Sequence, residues 1–132
     1  SREQIKSLPD GIKGIARTNS VNELADLYSM ADAFVNPTYE DNFPTTNIEA
    51  LACGTPVITY DTGGSPEAVD ENTGIVVDKG DIAGIVDAIG VIKERSRDYW
   101  RKACRHRAEQ CFNKDRQYEQ YIELYDRILS RK

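Results

Sequence analysis

Three short apolar runs constrain this chain most: Ala33-Phe34-Val35, Val57-Ile58-Thr59-Tyr60 and Gly74-Ile75-Val76-Val77. None alternates apolar with polar residues, so each reads as a strand covered on both faces. Helical sequence lies between and after them. Ser20 and Glu23 form a capping box ahead of Leu24, Leu27, Tyr28 and Ala31, which share one helix face. Residues 44–53 read as a helix bounded by Pro44 and Gly54, the expected residues for a helix start and stop. Ser65-Pro66-Glu67 starts a short helix, and Ile82, Ile85, Val86, Ile89 and Ile92 stripe a longer one after Asp81. Strands alternating with helices predict an α/β fold: a Rossmann-like parallel sheet with helices on both faces. A fourth strand is expected over 12–17, giving about four in all. Beyond residue 92 the pattern is helical only. One helix is expected over about 96–110. A second follows the Asn113 cap and is expected to bury Tyr118, Tyr121, Ile122, Tyr125 and Leu129.

With 132 residues the chain is read as a single domain, 1–92 forming the α/β part and 93–132 a helical tail. No apolar run approaches the roughly 18 residues of a membrane span. The polar opening SREQIKSLPDG lacks a signal-peptide pattern, and Ser1 in place of Met is the expectation for a fragment. Residues 1–92 carry 5 basic and 15 acidic side chains, a net −10, whereas 93–132 carry 12 and 7, a net +5. So acidic a front part argues against nucleic acid as a partner, since phosphate neutralisation needs clustered Lys and Arg. The basic stretch Lys93, Arg95, Arg97, Arg101, Lys102, Arg105 and Arg107 could make a peripheral contact with an anionic membrane surface, or simply be a solvated face. Three cysteines without a CxxC spacing speak against a disulfide framework or a zinc site and fit a cytoplasmic location. Cys104 and Cys111, seven apart, are expected to share a helix face and pack in the core, Cys53 to be packed at the end of the 44–53 helix, and His106, alone among arginines, to lie on the surface.

Ligands of open parallel α/β sheets bind outside the carboxyl ends of the strands. Two junctions qualify: residues 38–49 after the first run and 61–67 after the second. A helix starting near Pro44 would aim the free N–H groups of Thr45, Thr46 and Asn47 back at the strand ends, a setting that suits a phosphate or diphosphate. Asp41 stands just before that helix and Glu49 about one turn into it. Carboxylates touching a phosphate would repel it, so they fit better as acceptors for hydroxyl groups on either side. A nucleotide sugar has that layout. On spacing alone, plain capping by the threonines and a solvated Glu49 fit equally well. Gly63-Gly64 permit a tight turn and close backbone approach, for a contact with the donor or an interdomain cleft in which Glu67 could also serve, or merely a plain turn and helix start. They are not a dinucleotide fingerprint, because no GxGxxG follows a strand.

The stretch ADAFVNPTYEDNFPTTNIEALACGTPVITYDTGGSPEAV, with the wider match over about 20–92, resembles the family 4 glycosyltransferases ("glycosyl transferases group 1"). Their GT-B fold has two Rossmann-like domains. The family signature, two acidic residues with seven positions between them, falls on Asp41 and Glu49. The resemblance implies the C-terminal, donor-binding part of a retaining glycosyltransferase, moving a sugar from a nucleotide-diphosphate sugar to a hydroxyl acceptor in polysaccharide or glycoconjugate synthesis. It implies that Glu49 binds the ribose and that Asp41, or the adjacent Glu40, holds the donor sugar. Amides around Phe43 and Thr45 would contact sugar and diphosphate, and no cofactor or metal is expected. Two departures stand out: the first acid is usually Glu, and Pro44 replaces the usual Gly, removing one N–H. The resemblance also implies an N-terminal acceptor domain and basic diphosphate-gripping residues outside this chain, so that the chain alone would be inactive. A non-catalytic nucleotide-sugar-binding module and a nucleotide-sugar epimerase of the same fold are the alternatives.

Overall fold

The computed structural model describes residues 2–130. A short helix α1 (Arg2–Lys6) precedes α2 (Val21–Met30), β1 (Phe34–Asn36), α3 (Thr45–Ala52), β2 (Val57–Tyr60), a single 3-10 turn (Ser65–Ala68), β3 (Gly74–Val77), α4 (Ile82–Glu94), α5 (Arg97–Cys111) and α6 (Lys114–Leu129). The described strands form one parallel sheet in the order β1-β2-β3, with Phe34 opposite Val57 and Val57 opposite Gly74. Every residue of the central strand β2 is buried.

The expected helix ends carry their caps. Ser20, Asp81, Ser96 and Asn113 each accept backbone N–H groups through their side chains. Gly54 ends α3 at φ +81°, a conformation that side chains disfavour. A Cβ there would also press on Arg101 of α5.

The side-chain alternation of β2 divides the core. Val57 faces Tyr28, Ala50, Leu51, Ala68, Val69, Cys104 and Ala108. Ile58 faces Ala88, Ile92 and Trp100. Helices therefore cover both faces, as expected. Helix α5 serves both layers, because Trp100 lies in one cluster and Cys104 in the other. The Trp100 indole N–H donates to the Ile92 carbonyl over 2.9 Å and ties α5 to the end of α4. Leu51 and Ile58 are wholly buried, each removal from water being worth about 1.5–3 kcal/mol.

Three expectations need correction. Residues 12–17 form no strand, so the sheet has three strands rather than four. Ile12 and Ile15 are three apart with Gly14 between them, so they offer no period-2 face, and both remain exposed. The second correction concerns α6, on which Tyr118, Tyr121, Ile122, Tyr125 and Leu129 are 58–66% exposed. The periodicity produced the helix, but among the described residues no element covers that stripe. Thirdly, Cys111, the last residue of α5, is exposed rather than packed, whereas Cys104 is buried and the half-buried Cys53 packs against the core cluster around Val57.

Candidate functional site

The loops following β1 and β2 meet at the carboxyl end of the sheet. In the first, the Phe43 amide donates to the Asp41 carboxylate over 3.1 Å, closing a small turn. The second loop lies directly against it. The Gly64 amide donates to the Asn42 carbonyl over 2.9 Å, and the Thr62 hydroxyl to the Thr38 carbonyl over 2.9 Å. A Cβ on Gly63, which sits at φ +50°, would collide with the Asp41 carbonyl oxygen. One on Gly64 would collide with the Asn42 carbonyl and press on the Phe43 ring. The glycine pair therefore lets two backbones touch. Tyr39 anchors the loop's other end, its ring edge-on to Tyr60 at 5.7 Å with the Lys79 ammonium 5.2 Å from its centre. The Phe43 ring leans on Phe112 at 6.2 Å.

Helix α3 opens from this loop. Pro44 precedes its first turn and offers no side-chain cap. The Thr45 and Thr46 amides donate to no partner among the described residues, and both residues are exposed. Asn47 behaves otherwise. Its N–H donates to the Pro44 carbonyl over 3.1 Å. Its wholly buried side chain accepts from the Asn36 amide at 2.9 Å and reaches the Ser65 carbonyl at 3.5 Å. Asn47 is thus a pin joining the end of β1, the start of α3 and the turn after β2, not the free amide expected from sequence. Its position on the inward face of a short amphipathic helix was the available clue.

The carboxylates differ in their surroundings. Asp41 has one oxygen engaged by the Phe43 amide, while the exposed Glu40 side chain has no hydrogen-bond partner among the described residues. Glu49 is exposed, and its Oε2 accepts from the Tyr28 hydroxyl at 3.3 Å. Burial, then the neighbouring Glu49 charge and hydrogen bond, push the Tyr28 phenol up to about 12. The sequence placed Tyr28 on the inward face of α2 but gave no sign of its partner. Among the described residues, no group of three or more His, Cys, Asp or Glu side chains could hold a metal ion.

Arg107 supports the second loop from below. Its guanidinium donates to the carbonyls of Ala68 (2.7 Å), Glu67 (3.0 Å) and Val69 (3.3 Å) and pairs with Asp70 at 2.8 Å. Within the basic stretch, Lys102 pairs with Asp98 and Arg105 with Glu109, while Arg97 donates to the Ser29 carbonyl. His106 is exposed.

A family model described as glycosyl transferases group 1 matches residues 1–94. The chain belongs to that family. Similar group 1 transferases include the D-inositol 3-phosphate glycosyltransferases of Corynebacterium jeikeium, 44% identical over 52% of this chain and 16% of the relative, and of Mycobacterium tuberculosis, 38% identical over 67% and 20%. Among solved structures, the sucrose-phosphate synthase of Thermosynechococcus elongatus aligns with a TM-score of 0.73 at 31% identity, over 92% of this chain and 30% of that one. The α/β sheet is accordingly that of a partial GT-B domain. The chain spans between 12% and 21% of the length of the curated relatives it matches. No described helix is long and apolar enough to cross a membrane.

Proposed function

We propose that this chain is the donor-binding part of a retaining glycosyltransferase that moves a sugar from a nucleotide-diphosphate sugar to a hydroxyl acceptor in polysaccharide or glycoconjugate synthesis. The observation that carries the reading is the start of α3. Two unpartnered amides, Thr45 and Thr46, project from a helix terminus with Asp41 in the preceding loop and Glu49 further along the helix. The terminus and the threonine hydroxyls would bind the diphosphate and stabilise the charge that grows on it as the glycosidic bond breaks. Glu49 would accept the ribose hydroxyls. Asp41, or Glu40 beside it, would accept those of the donor sugar. Phe43, Gly63 and Gly64 shape the backbone between them, and Asn47 holds the helix start in place.

Charge stabilisation by a helix terminus asks for no metal or cofactor in this scheme. The acidic 1–92 part supplies few cations for a diphosphate, so the scheme draws them, and the acceptor domain, from a larger polypeptide. Donor and acceptor would meet in the cytoplasm. Any peripheral membrane contact would rest on Lys93, Arg95, Arg97 and Arg101, which pair with no carboxylate among the described residues. Co-sedimentation with anionic vesicles tests that part.

In the complete enzyme, Glu49→Ala is expected to weaken nucleoside diphosphate binding about tenfold or more, the loss of charge-assisted hydrogen bonds. Asp41→Ala is expected to depress kcat with a smaller effect on nucleotide binding. Titration calorimetry and steady-state kinetics read the two effects separately, and normal behaviour of both variants would place the site elsewhere.

A further inference from the structure

Glu49 projects from the outer side of α3, where a long flexible side chain would ordinarily sample several rotamers. One group restrains it. Tyr28, only 9% exposed, has its ring edge-on to Phe34 of β1 at 5.2 Å and 83°. Its carbonyl accepts the Thr55 hydroxyl at 2.6 Å and the Ala31 amide at 3.1 Å. Ring and backbone are therefore fixed from β1, from the turn before β2 and from the end of α2. The hydroxyl is the one polar end of this buried side chain, and it meets Glu49 Oε2 at 3.3 Å. Glu49 Oε1 has no partner among the described residues.

We propose that Tyr28 is a positioning residue for nucleotide recognition: its hydroxyl holds one oxygen of the Glu49 carboxylate so that the other meets the vicinal diol of a ribose. The inference rests on the role given to Glu49 in the proposed function. With its phenol pushed up to about 12, Tyr28 remains a hydrogen-bond donor throughout the working pH range. A donor fixed by the core lowers the ordering cost of the carboxylate when the diol binds.

The test uses the complete enzyme carrying this chain. UDP, GDP and ADP are titrated calorimetrically, and the tightest binder is then compared with its 2′,3′-dideoxy counterpart. Tyr28→Phe keeps the ring contact with Phe34 and removes only the hydroxyl. It is expected to weaken the ribonucleotide about 3–10-fold, the scale of one hydrogen bond. The dideoxy compound should bind variant and wild type alike, and Tyr28→Phe should add nothing in a Glu49→Gln background. Equal losses for both nucleotides, a loss that persists alongside Glu49→Gln, or no loss at all would overturn the role of Tyr28. If Glu49→Gln alone leaves ribonucleotide binding unchanged, the assignment of Glu49 fails, and that of Tyr28 falls with it.

Discussion

At the scale of single residues, the glycine pair is the most exacting feature of the site. Gly63 combines a left-handed backbone with a carbonyl where a side chain would begin. Each condition is costly by itself, because any side chain is strained at that φ and the obstructing atom is backbone. Gly63→Ala is therefore expected to destabilise the fold by on the order of 2 kcal/mol, part of it the left-handed penalty of about 1–2 kcal/mol for an L-residue. Because the displaced carbonyl belongs to Asp41, donor affinity in the complete enzyme should fall with it. Thermal melts and donor titration of the same variant check both. Cysteine reactivity offers a second test at this scale. Burial pushes the Cys104 thiol up to about 12, and its Sγ lies 3.6 Å from the Thr73 carbonyl. Cys111 is exposed. A thiol reagent such as dithionitrobenzoate should label Cys111 in the native protein and reach Cys104 only on unfolding.

Between elements, Arg107 is the clearest junction. One side chain of α5 holds three consecutive carbonyls and the Asp70 carboxylate, so the turn that carries Gly63-Gly64 is fastened at its far end. Arg107→Ala is expected to cost roughly 2–3 kcal/mol, the scale for hydrogen bonds to a charged group. Lys should not restore it, since an ammonium cannot span that fork of acceptors. Burial pushes the Asp70 carboxyl up, but the Thr73 hydroxyl, the Asn72 amide and Arg107 together outweigh it and hold it below the usual aspartate value. Such a lowered group stabilises the fold at pH above its unfolded value, near 3.9, and loses that contribution as pH falls through the folded one. The stability gap between wild type and Asp70→Asn should therefore be constant at neutral pH and close below about pH 4. Denaturant melts across that range would show it.

For the molecule as a whole, the strands and helices α2 to α5 form one packed body, and α6 stands outside it. None of its residues is buried, and its bonds to the rest lie at the α5–α6 corner, such as Arg116 to Gln110 and Gln117 to the Cys111 carbonyl. A chain ending after Asn113 should thus melt within about 2 °C of the longer one, in keeping with the small effect of surface changes. It should also bind less of a hydrophobic dye, because the exposed Tyr118, Tyr121, Ile122 and Tyr125 are gone. Circular dichroism melts and dye fluorescence decide both points.

Local physics is written in local sequence, and it was legible. Apolar runs without alternation marked the three strands, a period near 3.6 marked the longer helices, and Ser20, Asp81, Asn113 and Gly54 marked where helices begin or stop. The motifs around Asp41 and Glu49 pointed to the family and to the end of the sheet where the two loops meet. Partnership across the chain was not legible, because it depends on which surfaces tertiary packing brings together. Packing left residues 12–17 without a strand and the apolar stripe of α6 bare, although the latter's periodicity matched that of covered helices. It also turned Asn47 inward, set Gly63-Gly64 against the Asp41 loop and brought Tyr28 to Glu49 across 21 positions of sequence. A residue's type states what it can bond or bury, but only the folded chain supplies the partner.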